Sequence, residues 1–193
     1  MSTLLQLAGL CKSFGALRVI DNLALDIAEG EVVGILGPNG AGKSTMFGLI
    51  AGELRPSAGS IRFLDRDITA LPAHARCRLG IGRSYQIPRP FGHMTVFENL
   101  LVGAAFGARR GETASYELCV DILDRTGLAG KANSAARTLT LLERKRLELA
   151  RALATAPRIL LLDEIAGGLT ESECGELIQT IKAVHAAGTT IVW

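Results

Sequence analysis

The sequence has few of the features that mark secreted, membrane-spanning and cysteine-rich proteins. No apolar run approaches the roughly 20 residues that a membrane-spanning helix needs. The first residues, MSTLLQ, have no basic segment or long apolar core, so no secretory signal is predicted. The 4 cysteines are scattered without C-x-x-C spacing, which argues against a disulfide framework or cysteine metal site and favours a reducing compartment.

A strong excess of charge of one sign is also missing. Lys and Arg number 21 and Asp and Glu number 19, which leaves a net charge of +2. Nucleic acid or anionic lipid is therefore not expected as the main partner. Hydrophobic residues make up 48% of the 193 residues, which excludes intrinsic disorder and predicts one domain with room for an inserted lobe. We expect a cytosolic chain of the α/β class.

Hydrophobic patterning predicts two kinds of strand. The first thirty residues alternate apolar and polar side chains, as half-buried antiparallel strands do. Residues 32–36, 159–162 and 189–193 are apolar on both faces, which is typical of strands in the middle of a parallel sheet. A helical pattern over 171–187 separates the second and third of these runs, so a βαβ crossover is predicted.

The middle of the chain is predicted to be a helical lobe. We expect a β-rich part over 1–70, a mostly helical lobe over 71–153 and the rest of the core sheet over 154–193. Residues 103–115 are predicted as an exposed connection. Two apolar helix faces are predicted in this lobe: Tyr116, Cys119, Val120, Leu123 and Leu128, then Leu147, Ala150, Leu153 and Ala154.

A phosphate-binding loop follows the first doubly apolar run and matches G-x-x-x-x-G-K-[ST]. Glycines let successive N–H groups point into one concavity, and the helix that begins near Lys43 adds its positive dipole end. Lys43 is expected to contact the β- and γ-phosphates, and Ser44 to contact Mg²⁺. The candidate nucleotide-binding residues are Gly37, Pro38, Asn39, Gly40, Ala41, Gly42, Lys43, Ser44 and Thr45.

Two acids end the second doubly apolar run. Asp163 and Glu164 follow four apolar residues and are expected at the carboxyl edge of the sheet, where ligands bind in such folds. Asp163 is a candidate metal ligand, and Glu164 a candidate base that activates water. The sequence contains no N-K-x-D guanine-reading motif, so ATP is preferred over GTP.

With these motifs the chain resembles the ATP-binding subunits of ABC transporters over nearly its whole length. Phe14 stands where the family has an aromatic residue that stacks on adenine, and Gln86 matches the glutamine that reaches the metal and the attacking water. Residues 139–153 align with the signature region, which usually begins LSGGQ, and 167–170 with the D-loop. The implied fold is an α/β P-loop NTPase (ABC ATPase) with a parallel core sheet, an N-terminal antiparallel β subdomain and an inserted helical subdomain.

Each of these residues also has a structural interpretation. Phe14 could pack in the core, as single aromatic residues usually do. Gln86 could be a solvated loop residue. The charged run Arg144, Lys145 and Arg146 is by default a solvated helix face.

Two segments narrow the resemblance to importers of branched-chain amino acids. They are SYQIPRPF with MTVFENL, within residues 84–100, and RLELARAL at 146–153. Urea, other amides and other amino acids stay open as solutes. The resemblance implies ATP and Mg²⁺ as cofactors, with the metal held by Ser44, Gln86 and Asp163 and catalysis by Glu164 and Gln86. It also implies a homodimer or heterodimer with a homologous subunit, transmembrane permease subunits, and a location on the cytoplasmic face of the plasma membrane, without nucleic acid.

The signature departs from the family pattern. In the family this loop of one subunit caps the γ-phosphate bound to the other. Thr140 keeps a hydroxyl there, but Leu141 and Leu142 replace two glycines and Glu143 places negative charge near phosphate. All four are candidate nucleotide contacts. We expect a weaker contact in trans and a heterodimer whose partner supplies the stronger one, and Thr170 in place of the usual D-loop aspartate points the same way.

The last residue, Trp193, stands inside an apolar run, before the position of the family's switch histidine. None of His74, His93 and His185 matches it, so residues 1–193 are predicted to be one ABC domain truncated at its C-terminus, which binds ATP and hydrolyses it poorly. A second hypothesis is a nucleotide-binding module with little or no hydrolysis. A third is a DNA-maintenance ATPase, against which the near-neutral charge and the lack of heptad repeats argue.

Overall fold

The computed structural model describes residues 2–108 and 110–193. An antiparallel sheet comes first in the chain, with strand order β2-β1-β4-β5. Its strands are β1 (Thr3–Phe14), β2 (Leu17–Ala28), β4 (Ala58–Phe63) and β5 (Arg66–Asp67). Strand β1 pairs antiparallel with both β2 and β4 and buries Leu5, Leu7 and Leu10. The antiparallel strands predicted near the N-terminus are confirmed.

The second sheet is parallel and has strand order β3-β8-β7-β6. Its strands are β3 (Val32–Val33), β6 (Ile81–Ser84), β7 (Ile159–Leu162) and β8 (Thr190–Val192). All four residues of β7 are buried, as expected for a strand covered on both faces. Helix α6 (Glu171–Ala186) joins β7 to β8 and buries Leu177, Ile181 and Val184, which confirms the βαβ crossover.

Strand β3 does not lie in the middle of the sheet, as its doubly apolar pattern predicts. It is the edge strand among the described residues and is two residues long. Val32 is 51% exposed and Leu36 is 97% exposed. A doubly apolar run indicates apolar surroundings on both faces but carries no information about the number of neighbouring strands. Pairing continues beyond β3, since the Ile35 N–H donates to the Trp193 carbonyl at 2.6 Å.

Five further α-helices in the described part of the chain cover the sheets and form the lobe: α1 (Lys43–Ala51), α2 (Ala73–Leu79), α3 (Val96–Val102), α4 (Glu112–Arg125) and α5 (Leu141–Ala154). The predicted apolar face of α5 is buried. The face predicted for α4 is partly wrong, because Tyr116 and Val120 are exposed while Ser115 and Ile122 are buried. The small Ser115 fits inside because its hydroxyl donates to the Arg110 carbonyl at 3.3 Å.

The predicted exposed connection over 103–115 is wrong at both ends, since residues 112–115 already belong to α4 and Ser115 is buried. Gly103–Gly107 form a π-helical turn that continues α3, and Ala104 is buried. A Cβ on Gly107 would lie 2.7 Å from Thr155 Cγ2, so glycine is required where this turn crosses the end of α5. Arg109, in the same predicted connection, lies outside the described residues.

The parallel sheet separates two apolar cores. Leu160, Leu162 and Ile191 pack with the helical lobe and α6, while neighbouring residues on the same strands pack with α1 and the antiparallel sheet. Strand β6 belongs to this sheet, although it lies within the stretch predicted as helical lobe. The predicted residue limits of the three parts stay a prediction. Within the described residues, no helix is both long and apolar enough to cross a membrane.

Candidate active site

The glycine-rich loop leads from β3 into α1. Gly40 and Gly42 have φ of +83° and +89°, and Gly42 caps the helix. A Cβ on Gly42 would lie 3.1 Å from Val19 Cγ1 and 3.2 Å from the Val19 carbonyl oxygen. Glycine is therefore required for both conformation and space, and it leaves the first N–H groups of α1 open to an anion.

Lys43 lies over this loop. Its Nζ donates to the carbonyls of Gly37 at 2.7 Å and Pro38 at 3.0 Å, and lies 4.0 Å from Glu164 Oε1. A pocket of about 460 Å³ opens beside it, lined by Val19, Asn39, Gly40, Gly42, Lys43, Ser44, Thr45, Gln86 and Glu164. The structure thus joins the loop to three residues from other parts of the chain, Val19, Gln86 and Glu164.

Asp163 follows β7 and is 3% exposed. Its Oδ1 accepts a hydrogen bond from Ser44 Oγ at 3.1 Å, and its Oδ2 accepts one from Arg83 Nη2 at 2.9 Å. A hydroxyl, a carboxylate and the side-chain amide oxygen of Gln86 are the hard oxygen donors that Mg²⁺ prefers, together with substrate phosphates. The three residues predicted as metal ligands therefore fit this metal.

Glu164 comes next and has an unusual backbone. Its φ is +45°, a region that costs a residue with a Cβ about 1 kcal/mol or more. Its side chain is 38% exposed and lines the pocket, and its Oε2 accepts a hydrogen bond from Gln86 Nε2 at 2.5 Å. A carboxylate that contacts both solvent and the phosphate loop is placed to activate water.

Phe14 and the signature residues lie elsewhere. Neither Phe14 nor Thr140, Leu141, Leu142 or Glu143 is among the described residues that line the pocket. Phe14 is 47% exposed at the end of β1, with Lys12 Nζ 4.8 Å from its ring centroid. It is therefore not a core residue.

The start of α5, which contains the signature residues, is closed by its own side chains. The Thr140 N–H donates to Glu143 Oε2 at 2.8 Å, and the Glu143 N–H donates to Thr140 Oγ1 at 3.3 Å. This capping box lowers the pKa of Glu143, mainly through the Thr140 N–H, with Lys131 assisting. Thr170 forms the same capping box with Glu173 at the start of α6. Helix capping therefore explains why a threonine stands at this position.

Three charged residues of α5 hold the segment after β6 by its main chain. Lys145 Nζ donates to the Gln86 carbonyl at 2.5 Å. Glu148 Oε2 accepts from the Arg89 N–H at 3.3 Å, and Arg151 Nη1 donates to the Arg89 carbonyl at 2.9 Å. Burial lowers the pKa of Lys145, against the opposing effect of Glu148 and Glu164. The default interpretation of Lys145 as part of a solvated face is wrong, since it is 3% exposed. Lys145, Glu148 and Arg151 alternate in charge at a spacing of three residues, which places them on one face of α5. This pattern was visible in the sequence and indicated a shared role.

Sequence reasoning also assigned no role to Arg83, which contacts the metal-ligand candidate Asp163. Its Nη1 lies 2.9 Å from Glu53 Oε2, and the Tyr85 hydroxyl donates to Glu53 Oε1 at 2.6 Å. Burial, followed by the hydrogen bond to Glu53, raises the pKa of Tyr85 to about 12. Nothing in the local sequence pairs these residues, because the Arg83 and Asp163 partners are 80 positions apart.

Comparison with known proteins identifies the family. The family model described as "ABC transporter" matches residues 20–167. The chain belongs to the ABC transporter family. Among relatives, the ABC protein LivG of Salmonella typhimurium, a high-affinity branched-chain amino acid transport ATP-binding protein, is 38% identical over 98% of this chain and 80% of its own. The lipopolysaccharide export ATP-binding protein LptB of Acidithiobacillus ferridurans is also 38% identical, over 100% of this chain and 79% of its own.

Solved ABC structures agree with this assignment. The ADP conformation of an ATP-binding cassette of an ABC transporter superposes with a TM-score of 0.90 at 29% identity, over 100% of this chain and 80% of the other. The predicted fold class and the resemblance are confirmed. This chain is an ABC ATP-binding domain of the ATPase class, and domains of this family bind ATP or ADP. They work as dimers with transmembrane permease subunits. The hypothesis of a module without hydrolysis is not favoured by these relatives.

Proposed function

We propose that this ABC domain hydrolyses Mg²⁺-bound ATP to power import of branched-chain or related amino acids. The observation that carries the chemistry is the pocket itself, which brings Lys43 and Ser44 of the phosphate loop together with Gln86 and Glu164. Asp163 reaches the same place through its hydrogen bond with Ser44. The residues proposed as phosphate contacts, metal ligands and base therefore lie close together.

Each residue has a distinct role in this proposal. The loop N–H groups and Lys43 hold the β- and γ-phosphates. Ser44, Asp163 and Gln86 would hold Mg²⁺, which would supply positive charge beside the phosphates. Glu164 accepts a proton from the water that attacks the γ-phosphorus, and ADP is the leaving group. Phe14, exposed at the end of β1, stacks on adenine.

The solute class rests on two segments rather than on overall identity. LivG serves branched-chain amino acid transport and LptB lipopolysaccharide export, yet both are 38% identical to this chain. The segments within 84–100 and 146–153 favour the amino acid importers. The domain then acts at the cytoplasmic face of the plasma membrane, held there by permease subunits, without a nucleic acid partner.

The first segment also supplies a docking surface for the permease. Ile87 is 68% exposed and Phe91 is 45% exposed. The buried Asn99 holds the Phe91 main chain, since its Oδ1 accepts from the Phe91 N–H at 2.8 Å and its Nδ2 donates to the Phe91 carbonyl at 3.1 Å. Exposed apolar side chains on a firmly held main chain favour a preformed interface.

Replacing Phe91 by Ala is expected to uncouple transport from ATP binding. An apolar anchor at an interface contributes about 2 kcal/mol, so association with the permease is expected to weaken on the order of 30-fold. Pull-down with the permease and uptake into vesicles measure this effect, with ATP affinity unchanged. Phe106→Ala is the matched control, because Phe106 is 71% exposed outside this segment. Normal uptake by Phe91→Ala vesicles would place the permease elsewhere.

We also propose a heterodimer with a homologous ATP-binding subunit. The capping box uses the Thr140 N–H and directs the Glu143 carboxylate to the start of α5, and Leu141 is 46% exposed there. A carboxylate at this position opposes a phosphate presented by the partner. A homologue with a glycine signature then provides the stronger of the two caps.

Replacing Lys43 by Ala tests ATP binding. Removing its charged contact with phosphate is expected to weaken ATP affinity by about 10- to 100-fold, from roughly 1.5–3 kcal/mol for such a hydrogen bond. Titration with a fluorescent ATP analogue measures it, and Lys182→Ala, an exposed lysine of α6, is the control. Equal affinity in the Lys43→Ala variant and the wild type would contradict the assigned site.

A further inference from the structure

The Asp163 carboxylate is held at both of its oxygens. Oδ1 accepts from Ser44 Oγ at 3.1 Å, and Oδ2 accepts from Arg83 Nη2 at 2.9 Å. Its side chain is 5% exposed, so water does not compete freely for either oxygen. A carboxylate held at two points cannot rotate about its last bond without breaking one contact. The Arg83 contact therefore keeps Oδ1 directed toward the phosphate loop.

Arg83 is itself held in place by groups from other elements. Its side chain is 10% exposed, and its Nη1 lies 2.9 Å from Glu53 Oε2, just after the end of α1. The guanidinium carbon lies 5.0 Å from the Tyr85 ring centroid. The planar guanidinium thus spans two carboxylates at once, a geometry that the single ammonium of lysine does not reproduce.

We propose that Arg83 is a positioning residue for Mg²⁺-dependent nucleotide binding, because it orients Asp163 beside Ser44. This inference rests on the proposed ATP and Mg²⁺ site. Without Arg83, the buried Asp163 carboxylate is restrained only by the Ser44 hydroxyl and gains freedom to rotate, so that the ligand pair is no longer firmly preformed. The loop N–H groups and Lys43 stay in place, so metal-free nucleotide binding is preserved.

The test compares nucleotide affinity with Mg²⁺ and with EDTA. A fluorescent ATP analogue is titrated into the wild type, Arg83→Met, Arg83→Lys and the control Arg158→Met, whose arginine forms an exposed pair with Glu29. In the wild type, Mg²⁺ is expected to raise the affinity for the analogue. We expect this gain to be on the order of tenfold smaller in Arg83→Met. Its affinity in EDTA is expected to stay within about twofold, Arg83→Lys to be intermediate, and Arg158→Met to match the wild type.

Several outcomes separate this inference from the proposed function. An unchanged or larger Mg²⁺ gain in Arg83→Met overturns the positioning role, and so does an equal loss of affinity in Mg²⁺ and EDTA, which means general distortion. If thermal melting shows that Arg83→Met does not fold, Arg83→Lys decides: a reduced Mg²⁺ gain supports the role and a full gain overturns it. A wild type that shows no Mg²⁺ gain contradicts the proposed metal site itself, and the inference falls with it.

Discussion

Replacing Glu164 by Gln is expected to slow ATP hydrolysis by about 10² to 10⁴-fold, the range that a positioned general base contributes. Glutamine has the same shape but cannot accept the proton of the attacking water. Its side-chain oxygen can still accept the hydrogen bond that Gln86 Nε2 now donates to Glu164 at 2.5 Å. ATP affinity is therefore expected to stay within about threefold, since the phosphate contacts are unchanged.

Phosphate release and ATP titration on the same preparation separate turnover from binding. Glu117→Gln, an exposed glutamate of α4, is the control and is expected to hydrolyse ATP at the wild-type rate. Turnover by Glu164→Gln above half the wild-type rate would show that another group activates the water. Loss of ATP binding would show instead that this carboxylate shapes the pocket.

Replacing Arg76 by Met is expected to lower the free energy of unfolding by about 3–5 kcal/mol. Arg76 is 1% exposed and donates to four main-chain carbonyls: Leu49 at 2.6 Å, Ile50 at 3.0 Å, Leu71 at 2.9 Å and Thr69 at 2.9 Å. The Leu49 and Ile50 carbonyls lie in the last turn of α1, where the helix dipole favours a cation. Burial lowers the pKa of Arg76. Methionine fills much of the space but removes the donor from the Ile50, Leu71 and Thr69 carbonyls, at about 1–3 kcal/mol for each that water cannot reach. The Leu49 carbonyl still accepts the Gly52 N–H at 3.3 Å.

Urea unfolding followed by circular dichroism measures this loss. Arg125→Met is the control, because Arg125 forms an exposed pair with Asp121 in α4, and such pairs contribute less than about 0.5 kcal/mol. A loss below 1 kcal/mol for Arg76→Met would mean that water or a neighbouring side chain replaces the guanidinium. Such a result would mean that the Arg76 guanidinium contributes little to holding α2 against the end of α1.

The parts of the site that follow directly from local sequence were predictable. The phosphate loop is a contiguous motif, and Asp163 with Glu164 ends a run of buried residues. The pairing of Arg83 with Asp163 and of Lys145 with the Gln86 carbonyl joins residues 80 and 59 positions apart. A contact from a side chain to a main-chain oxygen is also compatible with any residue type at the acceptor position. Local patterns therefore do not identify the partners of such contacts.

The fold was likewise predictable where it follows from local hydrophobic patterns, and not where it depends on contacts between distant segments. Alternation identified the antiparallel hairpin, and doubly apolar runs identified the parallel sheet. The edge position of β3 was not predicted, since strand order depends on tertiary pairing. The buried face of α4 was predicted partly wrongly because Ser115, a polar residue, is buried with a hydrogen bond to the Arg110 carbonyl. Hydropathy does not register such a bond.

The helical lobe holds the segment after β6 by hydrogen bonds to its main chain. This has a consequence for how a domain of this kind can come to bind a different protein. Lys145, Glu148, Arg151 and Asn99 all contact main-chain atoms of Gln86, Arg89 and Phe91. The path of this segment is thus independent of most side chains that it presents. Substitutions at Ile87 or Phe91 are therefore expected to leave the path of the loop unchanged, and under the proposed docking role a different recognition surface can be exchanged onto the same ATPase domain.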